Sequence, residues 1–181
     1  VAKTHRPIRA LVLTPTRELA LQIKENFDSY GKYLSIRNAV IFGGVGQGPQ
    51  VESLQRGVDV LVATPGRLND LCSQGYIDLT GIETFVLDEA DRMLDMGFIH
   101  DVKKVIARLP KKRQTLLFSA TMPQEIAELS KTILIDPVRV EVTPQSSTVE
   151  AIDQRLYKVD KANKKHLLQY ILQDPSLDSV L

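Results

Sequence analysis

The sequence predicts an α/β fold built on a parallel sheet covered by helices on both faces. Short β-rich runs, RALVLT, NAVIF, VDVLVA, TFVLD, QTLLFS and VRVEV, alternate with stretches of helical period. The helices between them start or stop at a Pro or a Gly. Together these give a doubly wound layout.

The first helix follows Pro15: Leu19, Ile23, Phe27 and Tyr30 fall on one face, and Gly31 can supply a left-handed stop. A second runs from Pro49 to Arg56 and is closed by Gly57. Others span Pro65 to Ser73, Phe98 to Leu109 with Pro110 beyond, and Pro123 to Leu134 with Pro137 beyond. The stretch TPQSSTVEAID, Thr143 to Asp153, is polar and turn-rich, as in a linker. After it, QRLYKV, KANKKHLLQYILQ and SVL read as the opening of another α/β unit. Residues 1–148 are therefore expected to form a first domain, incomplete at its N-terminus, and 149–181 a linker with the start of a second, the boundary lying near Val149.

The 181 residues suffice for one sizeable core. With 23 basic against 22 acidic residues, no global positive field announces nucleic acid. Cys72 is the only cysteine, which excludes an internal disulfide or a cysteine zinc site and fits a reducing, cytoplasmic setting. His5, His100 and His166 match no metal-ligand spacing. No apolar run reaches the roughly 18 residues of a membrane span, and no basic-then-apolar signal segment is present. Lys103, Lys104, Lys111, Lys112 and Arg113 form basic clusters that read as solvated faces or as contacts to an anionic partner.

Chemistry enters at the strand ends. LVLTPTREL and LVATPGRLNDL repeat one junction: an apolar run, Thr-Pro, one residue, then Arg. Thr14 and Thr64 are expected as N-caps, each followed by Pro at the first helical position and Arg at the third. A cation beside the positive end of a helix dipole wants an anion, and phosphate fits. Pairing of each Arg with Glu18 or Asp70 is the open alternative. Gly43 and Gly44 end a third strand, where they let a backbone approach a ligand.

A fourth run delivers Asp88, Glu89 and Asp91 to the same rim. Carboxylates beside a phosphate need a hard cation between them. Mg²⁺ fits, with Asp88 holding its shell and Glu89 orienting and deprotonating a water. An isolated Asp-Glu-Ala-Asp also reads as a charged helix start. Ser119 and Thr121 end the fifth run, where their hydroxyls can bond the neighbouring carboxylates or cap the next helix.

In order, PTRELA (Pro15 to Ala20), GG (Gly43, Gly44), TPGRL (Thr64 to Leu68), DEAD (Asp88 to Asp91) and SAT (Ser119 to Thr121) resemble the DEAD-box RNA helicase family. The resemblance covers about residues 8–142 as a first RecA-like domain, and the tail resembles the linker and first β-α-β of the second. VLDEADRMLDMGFIHDVKKVIARLPKKRQTLLFSATMP is similar to bacterial RhlE-type members.

The resemblance implies ATP-dependent remodelling of RNA by two RecA-like domains closing on ATP and single-stranded RNA. It makes Asp88 the residue that holds Mg²⁺ through water and Glu89 the catalytic base, with Asp91, Ser119 and Thr121 coupling the nucleotide site to domain closure. Pro15, Thr16, Arg17, Gly43 and Gly44 would line the RNA backbone path together with Thr64, Pro65, Gly66 and Arg67. Backbone contacts carry no base information, so sequence-independent binding of single-stranded or duplex RNA is expected.

One departure stands out: the phosphate-cradling pattern G-x-x-x-x-G-K-[ST] occurs nowhere in these 181 residues. A RecA-like sheet lacking its first strand and P-loop is the expectation, inactive alone as an ATPase and prone to self-association through an open sheet edge. The competing readings are an RNA-binding scaffold without ATPase chemistry and a DNA translocase.

Overall fold

The computed structural model describes residues 6–142 and 155–175. Contacts divide the chain into two compact units, Val1–Val138 and Arg139–Leu181. The sequence-derived boundary at Val149, the linker Thr143 to Asp153, His5 and the SVL run lie outside the described residues.

In the first unit, strands β1 (Ala10–Leu13), β2 (Asn38–Ile41), β3 (Val60–Ala63), β4 (Thr84–Leu87) and β5 (Gln114–Leu117) form one sheet in the order β2-β3-β1-β4-β5. Every pairing is parallel, with Leu13 beside both Ala63 and Leu87. The five carboxyl ends therefore meet at one rim. Helices α1 (Arg17–Tyr30), α2 (Gly48–Gln55), α3 (Pro65–Ser73), α4 (Ala90–Asp95), α5 (Ile99–Arg108) and α6 (Gln124–Ile133) connect and follow the strands.

Strand alternation sends successive side chains to opposite faces. Leu11, Leu13, Ile41 and Phe85 join the larger core with Leu68 and Leu71 of α3, Val102 and Val105 of α5, and Ile126 of α6. Val12 and Val62 pack on the smaller core against Ala20, Ile23 and Phe27 of α1. Both faces carry helices, as the apolar runs predict. Cys72 is buried and burial pushes its thiol pKa up, so it packs as a small apolar residue.

Several sequence expectations are corrected. Tyr30 is 83% exposed; the inward face of α1 runs through Ala20, Ile23 and Phe27 instead. Gly31 has φ −84°, so it is no left-handed stop. It is needed for space, because a Cβ there would lie 2.6 Å from the Phe27 carbonyl oxygen. Helix α4, 6 residues long, starts within the Asp-Glu-Ala-Asp stretch, where a charged helix start was the alternative reading.

VRVEV forms no strand: Val138, Val140 and Val142 are each at least 85% exposed, and no ladder reaches them among the described residues. Alternation suits a strand, but pairing makes one. In the second unit a 3₁₀ turn, Lys161–Asn163, leads into α7, Lys164–Ile171. Residues 155–159 of the QRLYKV run have no regular structure, so the helix alone of the expected β-α-β is present among the described residues.

Candidate functional site

The two Thr-Pro junctions differ in register. Thr64 is the N-cap of α3, with Pro65 at the first helical position and Arg67 at the third, as predicted. Thr14 is not a cap. It is fully buried, its amide donates to the Ala63 carbonyl at 3.0 Å, and the helix beyond it starts only at Arg17. Thr16 caps α1 instead, its hydroxyl accepting from the Leu19 amide at 3.2 Å, and Arg17 becomes the first helical residue.

The difference has a chemical consequence. Thr16 occupies one orphan N–H of its own helix, whereas Thr64 makes no side-chain cap bond and leaves the start of α3 uncapped. An uncapped helix start offers donors to an anion.

Pro15, Arg17, Phe42 and Gly43 line one side of a cleft of about 410 Å³, and Thr64, Gly66, Arg67, Asp70 and Phe98 line the rest. The Arg17 guanidinium lies over the Phe42 ring at 4.9 Å, not on Glu18. Arg67 donates through Nη2 to the Val45 carbonyl at 2.8 Å and through Nε faces Asp70 at 3.8 Å. Its Nη1 is buried without a hydrogen-bond partner. A guanidinium held at two of its nitrogens presents a fixed positive charge to the cleft it lines.

Gly43 and Gly44 open onto space where an added Cβ would meet nothing within 4 Å, and Gly44 has φ +80°, a conformation that side chains disfavour. Phe42 and Phe98 were not picked from the sequence, although each touches a glycine that marks it, Gly43 and Gly97.

The second cluster sits at the ends of β4 and β5. Asp88 is half-buried, and its Oδ1 accepts from the Glu89 amide at 3.0 Å. Burial pushes the Asp88 carboxyl above the usual carboxylate range; the Glu89 N–H opposes this and the Glu89 charge adds to it. Glu89 occupies the left-handed region, φ 49° and ψ 52°, as the N-cap of α4. Strain of this kind costs about 1–3 kcal/mol and clusters at functional sites. Its carboxylate pairs with Arg92 Nη1 at 3.1 Å.

Asp91 joins the two strand ends. Its Oδ2 accepts from the Thr121 amide and hydroxyl, both at 2.8 Å, and its amide donates to Ser119 Oγ at 3.1 Å. Ser119 in turn donates to the Thr121 carbonyl at 2.7 Å. Burial raises the Asp91 carboxyl, but the bonds from Thr121, Ser119 and the Arg92 amide outweigh it and hold the group below its ordinary value. Thus all the sequence-derived site residues come to one rim, in two groups flanking the end of β1. His100 and His166 are exposed, and no cluster of three His, Cys, Asp or Glu suited to a metal exists among the described residues.

Comparison with known proteins agrees with this geometry. Residues 1–129 match the DEAD/DEAH box helicase family model. The chain is 43% identical over 165 residues to the rice DEAD-box ATP-dependent RNA helicase 40, covering 90% of this chain and 21% of that protein. It is 50% identical over 132 residues to the Chaetomium thermophilum ATP-dependent RNA helicase DBP2, covering 73% of this chain and 24% of the relative. A crystal structure of a hypothetical ATP-dependent RNA helicase from Sulfolobus tokodaii superposes with a TM-score of 0.68 at 42% identity, over 71% of this chain and 39% of that one. The chain thus spans under a quarter of the length of these two curated relatives. Its sheet and helices have the RecA-like α/β layout of that helicase structure, and the chain belongs to the DEAD/DEAH box helicase family.

Proposed function

We propose that this chain is the RNA-gripping and ATP-coupling half of an RNA-dependent ATPase that remodels RNA. One observation carries the reading: a single rim holds both a cationic cleft with an unsatisfied Arg67 Nη1 and a carboxylate cluster tied to Ser119 and Thr121.

In the cleft, Arg17, Arg67 and the uncapped start of α3 bind successive phosphates of a strand, while Pro15, Thr16, Gly43, Gly44, Thr64, Pro65 and Gly66 shape its path. Near-zero net charge is no obstacle, since a local row of donors holds phosphates that the total does not reveal. Binding is independent of base sequence because contacts to the phosphate backbone carry no base information.

At the other cluster, the chemistry of the donor set fits Mg²⁺ bound with ATP. A lone half-buried carboxylate, Asp88, suits an ion that keeps most of its waters and takes its remaining ligands from phosphate oxygens. Bound there, Mg-ATP supplies the phosphoryl group to be transferred and the charge that favours ionised Asp88. Glu89 orients a water and accepts its proton, which requires its carboxylate to leave Arg92. Asp91 carries any shift of the β4 end to Thr121 and Ser119.

The 181 residues hold no G-x-x-x-x-G-K-[ST]. The donors that stabilise transferring phosphoryl groups in such enzymes are then missing, so these residues alone do not hydrolyse ATP. The cytoplasm is proposed as the location, on the single buried thiol. The likeness of Val86 to Pro123 to bacterial RhlE-type members supports placement in that subgroup. β5 pairs with β4 alone among the described strands, so self-association through its free edge at high concentration is part of the proposal. Elution at monomer size there would count against it.

The test is titration of the ¹⁵N-labelled chain with single-stranded oligouridine at low salt. Shifts at Gly43, Gly44, Gly66 and Arg67 are expected; shifts confined to other surfaces would overturn the assignment.

A further inference from the structure

β2 is an edge strand of the described sheet, so one side of its backbone has no neighbouring strand. At its end Ile41 still faces β3, its carbonyl accepting from the Thr64 amide at 3.1 Å. Alternation then turns the polar groups of Phe42 outward. A side chain meets them: Gln50 Oε1 accepts from the Phe42 amide at 3.1 Å, and Gln50 Nε2 donates to the Phe42 carbonyl at 3.2 Å. One carboxamide thus replaces a strand partner. Only a group with donor and acceptor side by side can do this; a carboxylate lacks the donor, a thioether lacks both, and Asn is one methylene shorter.

What Gln50 holds matters to the cleft. Phe42 is 9% exposed, its ring lies beneath the Arg17 guanidinium, and the Gly43–Gly44 turn leaves directly from its carbonyl. We infer that Gln50 is a positioning residue: by locking both polar groups of Phe42 it fixes the platform under Arg17 and the origin of the glycine turn. The inference rests on the reading of the cleft as a path for an RNA backbone.

Three measurements on the 181-residue chain test it. Gln50→Met keeps the stem but removes the lock, so exchange of the Phe42 amide should accelerate at least about tenfold, a loss of protection independent of any ligand. Affinity for oligouridine at low salt should fall about threefold to tenfold, the span of one or two ordinary hydrogen bonds. Gln50→Glu, which keeps the acceptor alone, should fall similarly at neutral pH. In an Arg17→Ala background, Gln50→Met should cost less than in the parent, because the two act on one path. Unchanged Phe42 exchange overturns the inference, as does full RNA affinity in Gln50→Met while Arg67→Ala weakens it. If neither Arg17→Ala nor Arg67→Ala weakens binding, the cleft reading fails and this inference falls with it.

Discussion

Asp91 Oδ2 accepts two hydrogen bonds from Thr121, one from its amide and one from its hydroxyl, each 2.8 Å long. This two-point contact ties the start of α4, just beyond β4, to the segment that follows β5. Removing the hydroxyl in Thr121→Val should lower stability by about 1 kcal/mol, the lower end for a bond to a charged group because the pair is partly exposed. The Asp91 carboxyl is held below its ordinary value, so its contribution is present above pH ~4 and is lost as pH falls through the depressed folded value. Urea melts from pH 3 to 7 should show a shallower acid loss in Thr121→Val than in the parent.

Asp88 should behave in the opposite sense. Burial raises its pKa, so the folded state holds the proton more tightly than the unfolded one and ionisation costs stability as pH rises above the ordinary carboxylate range. Asp88→Asn should therefore melt higher than the parent at pH 7, by roughly 1–3 °C, with the gain vanishing below pH ~4. In the chain extended to the length of its relatives the same change should abolish Mg-ATP-dependent hydrolysis, a trade of stability for function.

Arg67 and Arg17 should differ in how they tolerate replacement. Arg67 uses separate nitrogens for Val45 and Asp70 and keeps Nη1 for a ligand, so Arg67→Lys should bind RNA nearly as poorly as Arg67→Ala. Each alanine change should reduce the slope of log affinity against log salt by about 0.7, one single-strand phosphate contact. Anisotropy titrations between 50 and 200 mM salt read both quantities, on the order of the range where phosphate contacts dominate.

At the opposite rim, Asp59 is a lock with no part in the cleft. It is 6% exposed; Oδ1 accepts from Arg6 Nε at 2.6 Å and Oδ2 from the Arg37 amide at 2.8 Å. Asp59→Ala should cost about 2–3 kcal/mol by orphaning both donors, measured by chemical denaturation. RNA affinity of the folded fraction should be unchanged.

Much of this was legible in the sequence, for identifiable reasons. The span Pro65 to Ser73 was read to the residue because Pro65 fixes the first helical φ and Leu68, Leu71 and Cys72 repeat at helical spacing. Thr14 misled because Thr14 and Thr16 are both capable caps. The choice between them shows only in the fold, where Thr14 is fully buried and the Thr16 hydroxyl accepts from the Leu19 amide. Val138 to Val142 alternates like a strand and has no partner strand among the described residues. Arg6 and Asp59 are 53 residues apart, and Gln50 carries no periodic signal; nothing local announces either contact. At the site itself residue types and order were readable, whereas the ion pair of Glu89 with Arg92 and the platform of Phe42 beneath Arg17 required the fold.

Glu89 is proposed to serve an RNA-coupled hydrolysis that these residues cannot complete alone. The direct measurement is RNA-stimulated ATP hydrolysis by the chain extended in both directions to the length of its relatives, beside its Glu89→Gln version and the 181-residue chain. Hydrolysis in the extended protein alone, lost in Glu89→Gln with RNA binding retained, is the predicted result. Equal rates with and without Glu89, or RNA binding with no hydrolysis in any form, would contradict it and leave a binding scaffold in its place.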